Sequence, residues 1–291
     1  MEETVTAFRE YKDFKDNSTF SVIEMYFPMD TVTPPHYADT IEILLYENLE
    51  GSIRIGGQEF CLEGKQAFFI APNLVHSVFY RKCDGKATVM KINVNRLKTM
   101  LDMEQIMAAY GKGLRDIRYW LPDYDELERI AGIFSKSLST IEILKVMLNL
   151  LEIMLRNASD SGMRPPLSAG DNNELCNIIS WTEKNFQRKI TLDEISEFMG
   201  YDKHYFCYKF RSATGITYLN YVNRLRLFHA CDRIRDGVSV KEVCEECGFE
   251  NLSYFIQLFK KHMGMTPKQY AMSTRGQPET TDVSRKEERK T

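Results

Sequence analysis

Three side chains in the first third of the chain, His36, Glu42 and His76, are nitrogen and oxygen donors of the kind that hold a transition metal or hydrogen-bond a small molecule. Cys244 and Cys247 form a C-x-x-C, but no second pair lies at zinc-ligand spacing. Both cysteines fall in a stretch that reads as helix, where small buried residues suit a core, so they are expected to be structural. The 291 residues contain no P-loop, no G-x-S-x-G elbow and no convincing pair of nucleophile and base, so no catalytic residue is assigned.

A second set of polar residues recurs. Lys203, His204, Cys207, Tyr208 and Arg211 stand in one segment, and Ser253, Ile256, Gln257, Lys260 and Lys261 in another. The surrounding pattern is written twice. Gly200 matches Gly248, 48 residues on, and Tyr205-Phe206, Phe210, Gly215 and Tyr221 match Tyr254-Phe255, Phe259, Gly264 and Tyr270, 49 residues on. Side chains of these types can read base edges and neutralise phosphates when a short helix presents them to a DNA major groove.

The elements that would position them follow from local signals. Thr191 with Glu194 and Ser239 with Glu242 are capping boxes that start two helices, and Gly200 and Gly248 suit left-handed helix ends. Asp202 and Asn251 can then cap two second helices. On these, Tyr205, Phe206, Phe210 and Ala213, and Tyr254, Phe255 and Phe259, are expected to face inward. Each copy therefore reads as a helix-turn-helix.

The run from Asn223 to Tyr270, with NRLRL, GFENLSYFIQLFKKHMGMTP and the final Tyr, resembles the DNA-binding domain of AraC/XylS-type transcription regulators. That resemblance implies two helix-turn-helix units on one long joining helix, here Tyr218 to Arg235 with Leu219, Val222, Leu225 and Ile234 on its apolar side. It also implies that both recognition helices enter successive major grooves of double-stranded DNA. His204, Cys207, Tyr208, Ser253, Ile256 and Gln257 are then the base-reading candidates, and Lys203, Arg211, Lys260 and Lys261 the phosphate candidates. Gln257 departs from the Arg common in relatives, so the preferred bases are expected to differ.

Upstream, Phe20–Tyr26, Ile41–Tyr46, Ser52–Ile55, Ala67–Ile70, Ser77–Tyr80 and Thr88–Val94 read as short strands, broken by Thr33-Pro34-Pro35, Gly51, Gly56-Gly57, Ala71-Pro72-Asn73 and Asp84-Gly85. Strands this short and regular suggest a small barrel or jelly roll. HYADTIEI at His36 to Ile43 and PNLVH at Pro72 to His76 resemble the cupin-like sensor domain of many family members. The expected fold is thus α+β in two domains: a cupin-like β-barrel with trailing helices, then an all-α double helix-turn-helix. Metal-bearing cupins supply a further histidine where this chain has Ala38, so no metal and no cofactor is expected. His36, Glu42 and His76 remain candidates for contact with a small-molecule effector, a sugar or other metabolite.

From Asn95 the pattern turns helical, and Ile141, Leu144, Leu148, Leu151 and Leu155 are spaced 3, 4, 3, 4, as in a narrow seam. Packing against the barrel and contact with a second copy both account for it; the resemblance implies a homodimer. The expected organisation is a sensing barrel over 1–95, a helical packing or dimerisation region over 96–158, a linker over 159–172, the DNA-binding domain over 173–272 and a disordered tail over 273–291. Residues 174–272 hold 14 Lys/Arg against 12 Asp/Glu and the tail 5 against 4, so with a total of −3 the first 173 residues carry −6. The basic character is modest, and DNA binding has to rest on where Arg211, Lys260 and Lys261 stand. No apolar run approaches a membrane span and no signal peptide opens the chain, so membrane association is not expected. Seven scattered cysteines fit a reducing, cytoplasmic compartment. The expectation is a ligand-controlled transcription regulator, by resemblance an activator that would engage RNA polymerase. The competing class is a cupin-type metal-dependent enzyme with an appended DNA-binding module.

Overall fold

The computed structural model describes residues 20–26, 30–81, 83–93, 119–120, 124–134, 168–274 and, in between, the helical residues 141–142, 145–146, 148–150 and 152–153. In the first part β1 (Phe20–Tyr26), β8 (Lys86–Asn93), β3 (Thr40–Glu47), β6 (Lys65–Ile70) and β9 (Tyr119–Trp120) pair in that order. A second sheet runs β2 (Thr31–His36), β7 (His76–Tyr80), β4 (Gly51–Ile55), β5 (Gln58–Leu62). All pairings are antiparallel, and among the described residues no ladder joins the two sheets. The expected barrel is therefore a pair of facing sheets, not a closed cylinder.

Two strands depart from the sequence expectation. Thr33-Pro34-Pro35, expected as a break, lies inside β2. Proline has no N–H for a ladder, and the chain tolerates it because β2 is an edge strand whose register with β7 shifts between Thr33 and His36. Gln58–Leu62, expected as no element, pairs with β4 across Gly56-Gly57, whose φ values of 52° and 91° give the left-handed turn that a tight hairpin requires.

The period of two along each strand sorts the residues into two layers. Leu44, Tyr46, Ile53, Ile55, Phe68, Val78, Tyr80 and Val89 fill the space between the sheets. Ile41, Ile43, Leu45, Phe69, Met90 and Ile92 face the other way, under Leu127, Ile130 and Ala131 of α1 (Tyr124–Phe134) and under Val146, Leu150 and Ile153. Ile141 and Leu148, from the seam singled out above, are 67% and 57% exposed, while Leu144, Leu151 and Leu155 lie outside the described residues, as does the tail beyond 274.

The second part is helical: α2 (Ala169–Asn185), α3 (Leu192–Met199), α4 (Lys203–Thr214), α5 (Tyr218–Arg235), α6 (Val240–Glu246), α7 (Leu252–Met263) and α8 (Pro267–Thr274). Ser168 caps α2, whose first turn falls inside the stretch expected as linker. Helix α5 serves two cores. Its Tyr218, Tyr221, Val222 and Leu225 pack with α2, α3 and α4, and its Leu227, Phe228, Ala230, Cys231 and Ile234 with α6, α7 and α8. Leu219, expected on the apolar side, is 48% exposed, because the inward arc there is already taken by Tyr218, Tyr221 and Val222. Cys244 and Cys247 are buried in the second core, with burial pushing both thiols up, that of Cys247 to about 12.

Candidate nucleic-acid interface

The caps expected at each turn are in place. Asp202 Oδ1 accepts from the backbone N–H of His204 and Tyr205 at 2.8 and 3.3 Å, and Asn251 Oδ1 accepts from Tyr254 N–H at 2.9 Å. Ser239 and Glu242 form the full reciprocal box. Thr191 forms only half of one, accepting from Glu194 N–H while the Glu194 carboxylate turns to the Arg188 guanidinium. Gly200 ends α3 at φ 69°.

These caps start α4 and α7 in the same rotational phase. The pattern of exposure from Asp202 to Arg211 is repeated residue for residue from Asn251 to Lys260. Phe206, Phe210, Phe255 and Phe259 are buried at 1% or less and anchor the two helices. His204, Tyr208 and Arg211 stand outward on α4, as Ser253, Gln257 and Lys260 do on α7, with Cys207 and Ile256 half-buried at matching flanks. Tyr208, the position equivalent to Gln257, is 72% exposed. Tyr205 and Tyr254 were expected inward but are 49% and 48% exposed, since a phenylalanine at the next residue takes the centre of each buried arc. Tyr205 packs edge-on against Tyr201, and the Tyr254 hydroxyl accepts from Asn223 Nδ2 at 3.2 Å.

The four phosphate candidates are not equivalent. Lys203 is ion-paired with Asp193 of α3. Arg211, Lys260 and Lys261 are exposed and have no ion-pair partner among the described residues.

At one end of the inter-sheet space the last residue of β2 and the alternation of β3, β7 and β8 bring polar groups together. His36, Glu42 and His76 are 3–4% exposed, with potential ligand atoms within 4.8 Å of one another. His36 Nδ1 lies 2.9 Å from Pro34 O and His76 Nδ1 3.0 Å from Leu74 O, so each ring turns Nε2 toward the centre. A fourth group, not anticipated from the sequence, is Lys91, whose Nζ stands 3.2 Å from Glu42 Oε1 in ion-pair range. Its place on the inward face of the apolar β8 was the available signal. Burial pushes the Glu42 carboxyl up, but Lys91 and the hydrogen bond and charge of His76 outweigh it and hold the group well below the usual carboxylate range. The His36 imidazole is held well below its usual range by burial and by His76, against Glu42 and the Pro34 carbonyl. The donor set suits a metal only in part, because the lysine ammonium already neutralises the carboxylate that a divalent cation would need.

The sheet part and the first helix-turn-helix share a core. Val75 lies among Leu175, Ile178, Ile179 and Phe206, with Tyr37 packed alongside. Asn172, 1% exposed, accepts from Val75 N–H at 3.1 Å and donates to Asn73 O at 2.6 Å, closing both sides of the turn that leads to His76. A cavity of about 530 Å³ opens between Gly57-Gln58, the start of α2 and α4, where Lys209 bonds Glu174 and the Tyr201 hydroxyl. No local sequence signal marks Asn172 or Tyr37, whose partners are distant in the chain.

Residues 195–273 match the helix-turn-helix domain family. The chain is 23% identical over 248 residues to the HTH-type transcriptional activator RhaS of Escherichia fergusonii, covering 81% of this chain and 86% of that protein. RhaS of Salmonella arizonae is likewise 23% identical over 250 residues. The crystal structure of ToxT from Vibrio cholerae has the same fold, with a TM-score of 0.51 at 14% identity over 89% of this chain and 99% of ToxT. Among the described residues no helix is long and apolar enough to cross a membrane. Two matched helix-turn-helix units behind a pair of facing sheets, with the domain match over 195–273 and the likeness to transcriptional activators over 81% of the chain, fit a DNA-binding transcription regulator similar to those of the AraC/XylS type.

Proposed function

We propose that the chain is a cytoplasmic, non-enzymatic activator, a homodimer in which each chain binds a two-part DNA site and answers to a small molecule through its sheet domain. The observation that carries the DNA-reading part is the repeated exposure pattern of α4 and α7, which offers the same turn positions twice. His204, Tyr208, Ser253 and Gln257 read base edges, Cys207 and Ile256 supply apolar contact at the flank, and Arg211, Lys260 and Lys261 meet phosphates. Lys203 reaches a phosphate after exchanging Asp193 for it. Activation follows the relatives named as transcriptional activators, and it implies a contact with RNA polymerase.

Effector control is supported by the buried His36 and His76, which adjoin Tyr37 and Val75 of the core shared with the DNA-binding part, by Glu42 paired with His76, and by a ToxT structure bound to a naphthalenyl butenoic acid. A ligand that alters this cluster would bias how α4 is held. The competing metal-enzyme reading is disfavoured by Lys91 beside Glu42. Selection of duplexes from a randomised pool by the full chain, with and without a metabolite panel that first screens for a rise in Tm, tests the proposal. Enrichment of a two-part site whose affinity changes with one panel compound is expected; no enriched site would overturn it.

A further inference from the structure

The two helix-turn-helix units are tied by more than the helix they share. Arg226, in the middle of α5, turns back to the loop between α2 and α3, where Nε donates to Phe186 O at 2.8 Å and Nη2 to Arg188 O at 2.7 Å. Phe186 is the C-cap of α2, so its carbonyl belongs to the group a helix end leaves without an internal partner. The same guanidinium lies 5.6 Å from the ring centroid of Phe249, in the turn of the second unit. One side chain thus touches the first unit, the second and the helix between.

The turn that holds Phe249 presses on the same loop. A Cβ on Gly248 would come within 2.6 Å of Phe186 O and 2.7 Å of Gln187 O. The equivalent Gly200 of the first unit has nearly the same backbone, φ 69° against 77°, yet nothing lies within 4 Å of its Cβ position. Both glycines are needed for a left-handed turn, but only Gly248 is also needed for close approach.

We infer that Arg226 and Gly248 are positioning residues that fix the separation and angle of α4 and α7, and so set the number of base pairs between the two parts of the DNA site. This rests on the proposal that both helices enter DNA. A joint locked by a planar guanidinium on two carbonyls has one geometry, whereas two units hinged on a single helix would tolerate several spacings.

The test uses the full chain and the duplex that wild type enriches from a randomised pool, together with copies carrying one base pair more or one fewer between the two parts. Wild type is expected to lose roughly 10- to 100-fold in affinity on either change, the scale of a mismatched base pair. Arg226→Ala and Gly248→Ala should bring that ratio to within about threefold of one, as expected when charge-assisted bonds or close packing at the joint are lost. Gly200→Ala carries the same backbone strain without the clash and should keep the wild-type ratio. If both joint variants fold by Tm and still discriminate spacing like wild type, or if Gly200→Ala relaxes spacing as much as Gly248→Ala, the assignment is wrong. Should Arg226→Ala fail to fold, Gly248→Ala decides by the same comparison. An enriched motif with only one undivided part overturns the two-groove proposal and the spacing role with it, whereas a two-part motif with spacing unchanged in the variants overturns the spacing role alone.

Discussion

His76 Nε2 lies 3.0 Å from Glu42 Oε2, with both side chains 3% exposed, at the end of an otherwise apolar inter-sheet space. The pair sits beside His36, which burial and His76 keep neutral well below the usual imidazole range of 6.5. The unfolded chain takes up that proton near 6.5 and the folded chain does not. The His36 contribution is therefore complete above pH 6.5 and declines as pH falls toward the folded value, by up to about 1.4 kcal/mol per pH unit. Glu42, held down by Lys91 and His76 against its burial, keeps its contribution until pH falls below about 4.5. Between pH 7 and 5 the Tm of wild type should fall more steeply than that of His36→Asn, whose amide can still donate to Pro34 O. His229 and His262 are lowered in the same direction by burial, so the quantity to read is the difference between the two proteins.

Lys91 makes a prediction about metal. With its ammonium 3.2 Å from Glu42, wild type is expected to retain no stoichiometric zinc or nickel after dialysis against the metal. Lys91→Met removes the competing cation and should raise occupancy. One tightly held ion per wild-type chain, lost in His76→Ala, would contradict this.

Gln257 and Lys260 should separate cleanly in binding assays. Gln257→Ala is expected to relax preference at one base pair of the site, by about 1 to 3 kcal/mol of discrimination, with little change in salt dependence. Lys260→Ala should weaken all sequences alike and lower the salt slope by about one. Affinities for single-base variants at several salt concentrations would show it; a uniform loss from Gln257→Ala removes that residue from base reading.

The described helical residues between 141 and 153 have two apolar sides. Val146, Leu150 and Ile153 face the sheet, while Ile141 and Leu148 stay exposed. Ile141→Glu with Leu148→Glu should give a monomer by sedimentation with a nearly unchanged Tm. Leu150→Glu should instead destabilise the fold by about 3 kcal/mol or more, because an unpaired charge is buried. An unchanged dimer in the double variant would place the self-contact elsewhere.

Much of this arrangement was legible because it is local. Capping residues at 202, 239 and 251, left-handed glycines and aromatic pairs all act within a few residues, and α5 runs over the very span expected of it, Tyr218–Arg235. What escaped was decided by partners far along the chain. Pro34 and Pro35 read as a break, and only the edge position of β2 makes them a strand. Tyr205 and Tyr254 looked inward by type, yet the neighbouring phenylalanines had already filled each core. Lys91, Asn172 and Arg226 owe their roles to carbonyls, amides and carboxylates that sequence spacing does not bring near.

Asn172 and Val75 carry a consequence for exchanging parts among such regulators. Because Val75 and Tyr37 complete the core around Leu175, Ile178 and Phe206, a chimera cut just before α2 would leave this core open on one side and import a foreign turn on the other. Heterologous sensors should therefore graft onto this DNA-binding half only when the 72–76 turn and Tyr37 travel with the recipient, and the two halves should unfold in one cooperative step rather than two.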